Sequence, residues 1–457
     1  MRQPLEQSGI AERSFVVWDV AVVKYEKAHE SLRNAVDLAG GLHDLSPASK
    51  VLIKPNIVVW HEDIDFPKYG VLTTSRLIED MVKLLKDKGV NDITIAEGGL
   101  SMQKEKNFSM IEQAAKGLGL NVLKDRYGVK IIDILKGPFT KVTKDNVTLS
   151  ISSEVVGADY VINMPVLKTH SQAMVSLGIK NLKGTINIAS RKLCHNVDSG
   201  MDLHYHLVKL LDMISPSLTV IDGIYSNERG PMFTGRAHRA NIIVVSKDTL
   251  SADIAGSKIL GINPEDVPHI AMAVKAKKRS TDLKDIDIKG NVDIRTALKP
   301  HKWSFEQSEL NELPLFFEKA GVKGITYHPV DTTLCTYCAL FIGDINLGIY
   351  MAKNIDKFFD DIEILYGKIQ RPSPNHKHTL LVGKCQVKLN SENPLINHCV
   401  KIPGCPAKRK DLLKAFKELS IEIPDNFLEW LAKSPETLHM KKYRNNSAFD
   451  PSFYKIE

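Results

Sequence analysis

In the first part of the chain, short apolar runs alternate with segments whose apolar residues recur at helical spacing. A short apolar run at 51–53 predicts a buried strand, apolar residues at helical spacing predict a helix over 75–87, and a second strand is predicted over 92–96. Strand, helix and strand in this order imply a right-handed crossover between parallel strands. The chain is therefore predicted to begin with an α/β domain.

The pattern continues beyond this unit and changes towards the C-terminus. Residues 139–152 predict an antiparallel hairpin with its turn at 144–146. Further elements are predicted as strands over 160–167, 218–221 and 241–245 and as helices over 251–260, 264–275 and 407–419. We predict an α/β fold in which a mostly parallel sheet carries helices on both faces, with a smaller C-terminal α+β domain that bears the cysteines. The expected domains are residues 1–300 and 301–439, followed by a loose, basic tail over 440–457.

Composition and charge narrow the classes of function. Of the 457 residues, 43% are hydrophobic and 25% charged, and the net charge of +7 permits an anionic substrate or an acidic partner protein. Nucleic acid is not an expected partner, because no dense basic stripe with interleaved aromatic residues occurs. No apolar stretch is long enough to span a bilayer, and residues 1–13 have no apolar signal core. We therefore expect no membrane partner and a cytoplasmic location, while the oligomeric state is left open.

Five of the six cysteines lie between positions 335 and 405. Cys335 and Cys338 form a C-x-x-C pair, Cys385 ends a Gly-Lys-Cys segment, and Cys405 stands between a glycine and a proline. A C-x-x-C pair places two sulfurs on one turn, and two thiolates from distant loops would complete a four-sulfur site. Clustering of this kind in a cytosolic chain favours metal binding over disulfides. These four cysteines are the predicted metal ligands.

The spacing of the cysteines also bears on the kind of metal. Zinc sites usually contain two C-x-x-C pairs, whereas this chain has one, which favours an iron–sulfur cluster of the 4Fe-4S type over zinc. Glycines at 383 and 404 allow the backbone to come close to a bulky cluster. Cys399 is a fifth thiol that could replace a ligand or lie unligated beside the cluster. Apolar burial of free cysteines, without any metal, is the structural alternative.

Polar residues follow several of the predicted strands. They occur as Lys54-Pro55-Asn56, Glu97-Gly98-Gly99, Lys168-Thr169-His170 and Asp222-Gly223, and a further polar stretch runs from Lys180 through Asn181 and Lys183 to Gly184. In an open parallel sheet, ligands bind at the carboxyl ends of the strands. We therefore expect these residues to meet in one small-molecule site.

The residue types in this site favour an anionic substrate. Lysine binds carboxylate or phosphate as a point charge, so substrate binding is predicted for Lys54 and Lys183, with orientation by Asn56 and Asn181 and a contact from Asp222. Imidazole titrates near neutrality, which makes His170 the candidate for proton transfer, with Lys168 and Lys180 as further catalytic candidates. The alternative for each lysine is a solvated surface position, and for Asp222-Gly223 an ordinary turn.

Several segments together form the motifs of a known family. They are Val51-Leu52-Ile53-Lys54-Pro55-Asn56, Thr73-Thr74, Asn163-Met164-Pro165-Val166-Leu167-Lys168-Thr169-His170, Lys180-Asn181-Leu182-Lys183-Gly184, Ile221-Asp222-Gly223 and Gly230-Pro231. Over roughly residues 16–275 the chain resembles the domain-of-unknown-function family 362, iron–sulfur-associated proteins of anaerobic bacteria and archaea. The resemblance implies an iron–sulfur protein and adds Thr73 to the substrate-binding candidates. Many members carry repeated C-x-x-C-x-x-C segments for a ferredoxin-like pair of clusters, which this chain lacks. The large domain also has a more distant likeness to nickel-pincer enzymes of the lactate-racemase type.

Three functions are compatible with these features. The favoured one is a redox or cluster-assisted enzyme, an oxidoreductase or a cluster-dependent lyase or isomerase, that acts on a small anionic substrate and has a redox partner protein. The second is a non-enzymatic electron carrier or maturation factor that docks on a partner, and the third is a zinc-stapled isomerase. Rossmann-type nicotinamide use, P-loop nucleotide hydrolysis and α/β-hydrolase chemistry are poorly supported, because their sequence motifs do not occur.

Overall fold

The protein folds into a large and a small α/β unit. The computed structural model describes residues 16–99, 109–307 and 313–457. The strands of the large domain are β1 (Trp18–Lys24), β2 (Val51–Lys54), β3 (Ile93–Glu97), β4 (Lys130–Asp133), β5 (Phe139–Lys144), β6 (Val147–Ser152), β7 (Tyr160–Asn163), β8 (Val166–His170), β9 (Met174–Val175), β10 (Leu218–Glu228), β11 (Arg236–Ser246) and β12 (Ile286–Gly290). Its helices are α1 (Glu30–Leu38), α2 (Ser75–Asp87), α3 (Met110–Gly117), α4 (Leu120–Tyr127), α5 (Ser153–Val156), α6 (Gly178–Asn181), α7 (Ile188–Leu193), α8 (Leu203–Ile214), α9 (Thr249–Ile259) and α10 (Pro268–Ala276).

One ten-stranded sheet organises the large domain. Its main path has the order β12-β1-β11-β10-β7-β2-β3-β4, and β8 and β9 extend from β10. The neighbours in the β10-β7-β2-β3-β4 part are parallel, whereas β11 is antiparallel to both β1 and β10. The prediction of a mostly parallel sheet is confirmed.

Helices cover both faces of this sheet, as predicted. One apolar core contains side chains of α1 to α4, and the second contains side chains of α8 to α10 and of the β5-β6 hairpin. The predicted helix over 75–87 is α2, and the side chain of Thr74 accepts a hydrogen bond from the Leu77 amide at its start. The predicted hairpin is also present, with its turn residues Asp145 and Asn146 at positive φ.

Three predicted strand boundaries were wrong, and one of them is the start of β11, which lies at Arg236 rather than at residue 241. The strand predicted over 218–221 continues to Glu228, so Asp222 and Gly223 lie inside β10 rather than in a loop after it. The strand predicted over 160–167 is divided into β7 and β8 at Met164-Pro165, because proline has no N–H to donate to a neighbouring strand. The Asp-Gly pair was misinterpreted because buried hydrogen bonds, which the sequence pattern does not show, satisfy the Asp222 carboxylate inside the sheet.

The small C-terminal domain has its own sheet and its own apolar core. Its strands are β13 (Lys323–Tyr327), β14 (Phe358–Leu365), β15 (His378–Val382) and β16 (His398–Ile402), and its helices are α11 (Leu315–Lys319), α12 (Thr336–Met351), α13 (Gly383–Asn390), α14 (Arg409–Glu418) and α15 (Phe427–Ser434). The strands are ordered β13-β14-β15-β16 and all neighbours are parallel. Within the described ranges, no helix has both the length and the apolar character needed to cross a bilayer.

The C-terminal segment 440–457 is not the loose tail that its polar composition suggested. Its side chains Met440, Tyr443, Tyr454 and Ile456 are buried in a core of the large domain. The Ile456 amide donates a hydrogen bond to the carbonyl oxygen of Leu118. The segment therefore returns from the small domain to the large one, because its few aromatic and aliphatic residues fill an apolar surface there.

Candidate functional site

A buried ion pair lies where strands β2 and β3 end. Lys54 and Glu97 are 1% and 3% exposed, and Lys54 Nζ donates to Glu97 Oε2 at 2.9 Å. Lys54 Nζ also donates to the Pro55 carbonyl at 2.7 Å. The Glu97 carboxylate accepts two more hydrogen bonds, from the amides of Ile57 (2.8 Å) and Gly98 (2.7 Å). Protein groups therefore occupy the hydrogen-bonding capacity of this pair.

Lys168 is likewise enclosed by protein partners. Its Nζ donates to Asn56 Oδ1 at 2.6 Å and to the Val71 carbonyl at 2.7 Å. Asn56 Nδ2 in turn donates to Asn181 Oδ1 at 2.9 Å. Burial lowers the pKa of Lys168 to about 7. Two acceptors match the two N–H groups of a neutral amine better than the three of an ammonium ion.

Thr73 and Asp222 fix the start of helix α2. Thr73 Oγ1 donates to the Met164 carbonyl and accepts from the Asn56 amide, both at 2.8 Å. Asp222 Oδ2 accepts from the Thr74 amide at 2.7 Å and from Thr74 Oγ1 at 2.8 Å. Burial raises the pKa of Asp222 to about 6.

The structure thus brings together six of the predicted site residues, but beneath the surface. These are Lys54, Asn56, Thr73, Lys168, Asn181 and Asp222, and all of them are buried. Each has its polar atoms engaged by neighbouring protein groups. Their arrangement supports the loops above them and does not present free donors to a ligand.

Lys180 and His170, by contrast, are partly accessible to solvent. Among the described residues, the Lys180 ammonium has no hydrogen-bond or ion-pair partner. Burial, together with the charges of Lys183 and Lys168, holds the pKa of Lys180 well below its usual value. A lowered pKa makes an ammonium group release its proton more readily than an ordinary lysine does.

The hydrogen bonds of His170 define its tautomer. The Gln172 amide donates to His170 Nδ1 at 3.1 Å, so Nδ1 is an acceptor and the proton of the neutral ring resides on Nε2. Burial and the nearby charges of Lys180 and Lys183 hold the pKa of His170 well below its usual value. His170 is therefore suited to donate a hydrogen bond from Nε2.

Lys183 connects the region around Lys180 and His170 to the small domain through His195. Lys183 Nζ lies 2.8 Å from His195 Nε2, and His195 Nδ1 lies 2.7 Å from the carbonyl oxygen of Thr332. A carbonyl can only accept, so Nδ1 carries the proton and Nε2 accepts from Lys183. Gln172 Nε2 adds two hydrogen bonds of 2.8 Å, to the carbonyls of Asp331 and Leu334. The loop that leads to Cys335 is therefore fastened to the large domain.

The predicted metal ligands follow the carboxyl ends of three strands of the small sheet. Cys335 and Cys338 lie at the start of α12, after β13; Cys385 lies in the first turn of α13, after β15; and Cys405 follows β16. The hydrogen bond from the Cys338 thiol and the amides of Cys338 and Tyr337 lower the pKa of Cys335 to about 5. The pKa of Cys338 is raised by that same hydrogen bond, by burial and by the proximity of Cys335, Cys385 and Cys405. The four cysteines therefore share one neighbourhood.

Cys399 lies elsewhere in the small domain. It is the second residue of β16, near the strand's amino end, whereas Cys405 follows its carboxyl end. Burial raises the pKa of the Cys399 thiol, and the nearby charges that also shift it are those of Lys401 and Glu418. None of the other cysteines is among the main influences on this pKa.

The neighbourhood of the four thiols is compatible with an inorganic centre in two respects. Electropositive groups lie near two of the thiols: the amides of Cys338 and Tyr337 lower the pKa of Cys335, and the proximity of Cys405 outweighs burial and raises the pKa of Lys192. Gly383 has φ +84°, and a Cβ there would lie 3.1 Å from the Cys338 sulfur. Electropositive groups beside sulfur and close backbone approach are typical of cysteine-ligated clusters.

The thiols do not form the geometry of a single-ion site. Across residues 16–99, 109–307 and 313–457, no group of three or more histidine, cysteine, aspartate or glutamate side chains is arranged to hold one metal ion. A zinc ion would need its sulfur ligands about 2.3 Å from a common point. The four thiols lie in one neighbourhood, and their side chains would have to rotate to bring the sulfurs around such a point.

Several residues near Cys335 were not predicted from the sequence. A crevice between the domains is lined by Ile188, Arg191, Lys192, Cys335, Thr336 and Tyr337. Arg191 is buried, its guanidinium donates to the carbonyls of Ile186 and Gly184, and Lys192 lies over the Tyr337 ring. No motif marks these positions. The basic pair Arg191-Lys192 on α7 was the available signal, but its proximity to Cys335 depends on how the domains pack.

Comparisons with known proteins relate the chain to a family model and to several proteins, two of which show the range of similarity. A model of the family described as "Domain of unknown function (DUF362)" matches residues 51–258. The chain is 26% identical over 246 residues to the thylakoid-associated protein sll1697 of Synechocystis sp., an alignment that covers 53% of this chain and 72% of that protein. The solved lactate racemase apoprotein of Thermoanaerobacterium thermosaccharolyticum aligns with 12% identity and a TM-score of 0.33, over 54% of this chain and 57% of that one. Residues 51–258, which hold the Lys54, Lys168 and Lys180 segments, thus match the DUF362 family.

Proposed function

We propose that this protein is an iron–sulfur protein whose cluster, held by Cys335, Cys338, Cys385 and Cys405, serves a reaction on a small anionic substrate. The supporting observation is the convergence of the four cysteines on one neighbourhood that faces cationic residues of the large domain. Arg191 and Lys192 of the large domain line one crevice with Cys335. The proximity of Cys335 offsets part of the lowering of the Lys183 pKa by burial, and the proximity of Cys405 raises the pKa of Lys192 against the effect of burial. A bound cluster would supply one-electron chemistry or a Lewis-acidic iron.

Charge balance favours an anion beside Lys180. Lys180, Lys183 and Arg191 lie near one another, and among the described residues none of them forms an ion pair with a carboxylate. Buried charges are usually paired, and an uncompensated cation is costly. A carboxylate or phosphate bound here would offset the repulsion between the lysines. We propose that the substrate anion lies at Lys180 and Lys183 and accepts a hydrogen bond from His170 Nε2.

Proton transfer in this site is assigned to Lys180. His170 already uses Nδ1 as an acceptor, so its neutral ring offers a donor and no free lone pair. The ammonium of Lys180, charged while it holds the anion, gives up its proton readily because its pKa is lowered, so Lys180 is the available acid. The buried residues Lys54, Lys168 and Asn181 then hold the backbone that carries these side chains.

The cluster is tested by purifying the full chain without oxygen and measuring iron, sulfide, visible absorption and electron paramagnetic resonance. Cys335→Ser, Cys338→Ser, Cys385→Ser and Cys405→Ser are each expected to lower the iron content. Cys399→Ser is the matched control and is expected to retain it, because Cys399 lies at the other end of β16. A colourless protein with one zinc per chain would refute the cluster and favour the zinc-stapled isomerase.

The anion site is tested separately by calorimetric titration with inorganic phosphate and with malonate. Lys180→Met is expected to weaken binding by about tenfold, the effect of about 1.4 kcal/mol. Lys141→Met, on the exposed β5 strand, is the control and should leave binding unchanged. Equal binding by both variants would contradict the site, whatever metal the cysteines hold.

A further inference from the structure

Two of the four clustered cysteines reach the surface of the small domain. Cys385 and Cys405 are exposed, whereas Cys335 is buried. Both exposed thiols follow carboxyl ends of adjacent parallel strands, β15 and β16, so they open on the same edge of the small sheet. This edge is where an electron would reach a cluster held by these residues.

Exposed lysines lie close in the sequence to the two thiols. Lys384 and Lys388 are one helical turn apart on α13, on either side of Cys385 in the sequence, and Lys408 and Lys410 lie at the start of α14, just after Cys405. We call these four residues the lysine rim. Within the described part of the chain none of them forms an ion pair, whereas their neighbour Arg409 pairs with Asp344. The four lysines outnumber Asp411, the one acidic residue of 383–388 and 403–411, so the rim carries net positive charge.

We propose that the lysine rim docks an acidic one-electron carrier protein. The inference rests on the proposed function, because it gives the docked carrier a cluster to serve. One electron leaves the reduced carrier, which is oxidised by one unit, and enters the cluster, which is reduced by one unit, with no bond made or broken. Charge of this kind steers a partner of opposite sign and raises the rate of encounter.

The composition of the patch favours a protein over a lipid surface. A peripheral membrane site combines basic residues with exposed large apolar side chains that insert between lipids. Within 383–388 and 403–410, no large hydrophobic side chain is exposed. Electron-transfer complexes are typically small, polar and transient, which matches a rim of lysines around two thiols.

The test measures docking directly with the full chain and a purified acidic plant-type ferredoxin. Binding is measured by calorimetry at about 20 mM and about 300 mM salt, since raising the ionic strength shortens the screening length severalfold. The test variant carries Lys384→Glu, Lys388→Glu, Lys408→Glu and Lys410→Glu. The matched control reverses four exposed lysines of the large domain that also form no ion pair in the described ranges, Lys116→Glu, Lys124→Glu, Lys141→Glu and Lys144→Glu.

The rim variant is expected to bind at least about tenfold more weakly at low salt, while the control variant binds as the wild type does. High salt should weaken wild-type binding by a similar factor. Equal losses in both variants, no ferredoxin binding at all, or binding to vesicles of anionic lipid in its place would overturn the proposal. In the anaerobic protein, reduction by ferredoxin should slow in the rim variant, while reduction by dithionite should not. If iron is absent but the rim still determines ferredoxin binding, the cluster fails and the docking surface stands.

Discussion

The buried pair of Lys54 and Glu97 gives the sharpest test of how the large domain holds its loops. In Glu97→Gln the amide oxygen can replace only one of the two carboxylate oxygens. If it accepts from Lys54 and Ile57, the amide nitrogen faces the Gly98 N–H, which loses its acceptor. Lys54 also loses its countercharge in a site where it is 1% exposed.

The expected cost follows from these two losses. Removing one partner of a buried ion pair costs about 3–5 kcal/mol, and this range includes the penalty of an orphaned donor. Burial already lowers the pKa of Lys54, so the lysine can shed its proton, which places the cost in the lower half of that range. Hydrogen–deuterium exchange of peptides over 51–57 and 93–98 should show the local free energy of opening fall by about 3 kcal/mol.

Two further variants separate the ion pair from a general loss of packing. Asp212→Asn breaks the exposed pair with Lys277 (3.2 Å) and should cost about 0–1 kcal/mol. Adding Lys54→Met to Glu97→Gln removes the unpaired charge, so the double variant should be more stable than the sum of the single losses. If Glu97→Gln costs no more than Asp212→Asn, or if the losses simply add, the pair does not stabilise these loops in the manner described.

Two other predictions concern burial in the large domain. Below the folded-state pKa of about 7, Lys168 is charged in both the folded and the unfolded chain. Between about 7 and the ordinary value of 10.5, only the unfolded chain keeps the proton. The free energy of unfolding should therefore rise with pH across that window. Thermal unfolding of wild type and Lys168→Met from pH 6 to pH 10 checks this, since the variant should lack that part of the rise, and parallel curves would contradict it. In Gly119→Ala, a Cβ would lie 2.2 Å from the Ile456 carbonyl oxygen, so segment 440–457 should undock and become sensitive to protease. Gly128 has a similar φ (+68°), but a Cβ there would have no atom within 4 Å, so Gly128→Ala should leave the segment protected from protease. Equal cleavage of both variants would show that backbone strain at positive φ, and not the contact with Ile456, explains the cleavage.

Local patterns in the sequence were sufficient for much of the fold. The helix over 75–87 and the hairpin over 139–152 were predictable because their signals, apolar periodicity and turn residues, lie within about a dozen positions. The grouping of Cys335 with Cys338 is equally local, since a C-x-x-C pair spans a single turn. The polar strand ends at Lys54 and Glu97 likewise followed from strand order and from the general position of sites in parallel sheets.

Only the tertiary structure decided which of the similar lysines is enclosed and which is partly accessible. Lys54, Lys168 and Lys180 all follow apolar segments and carry the same side chain. The first two are engaged by partners up to 127 residues away, whereas Lys180 has no such partner among the described residues. The same holds for Asp222, satisfied inside a strand by Thr74, and for segment 440–457, buried against the large domain. Burial and charge pairing depend on contacts between distant parts of the chain, and a pattern read along the sequence contains the periodicity of each element but not the surface that packs against it.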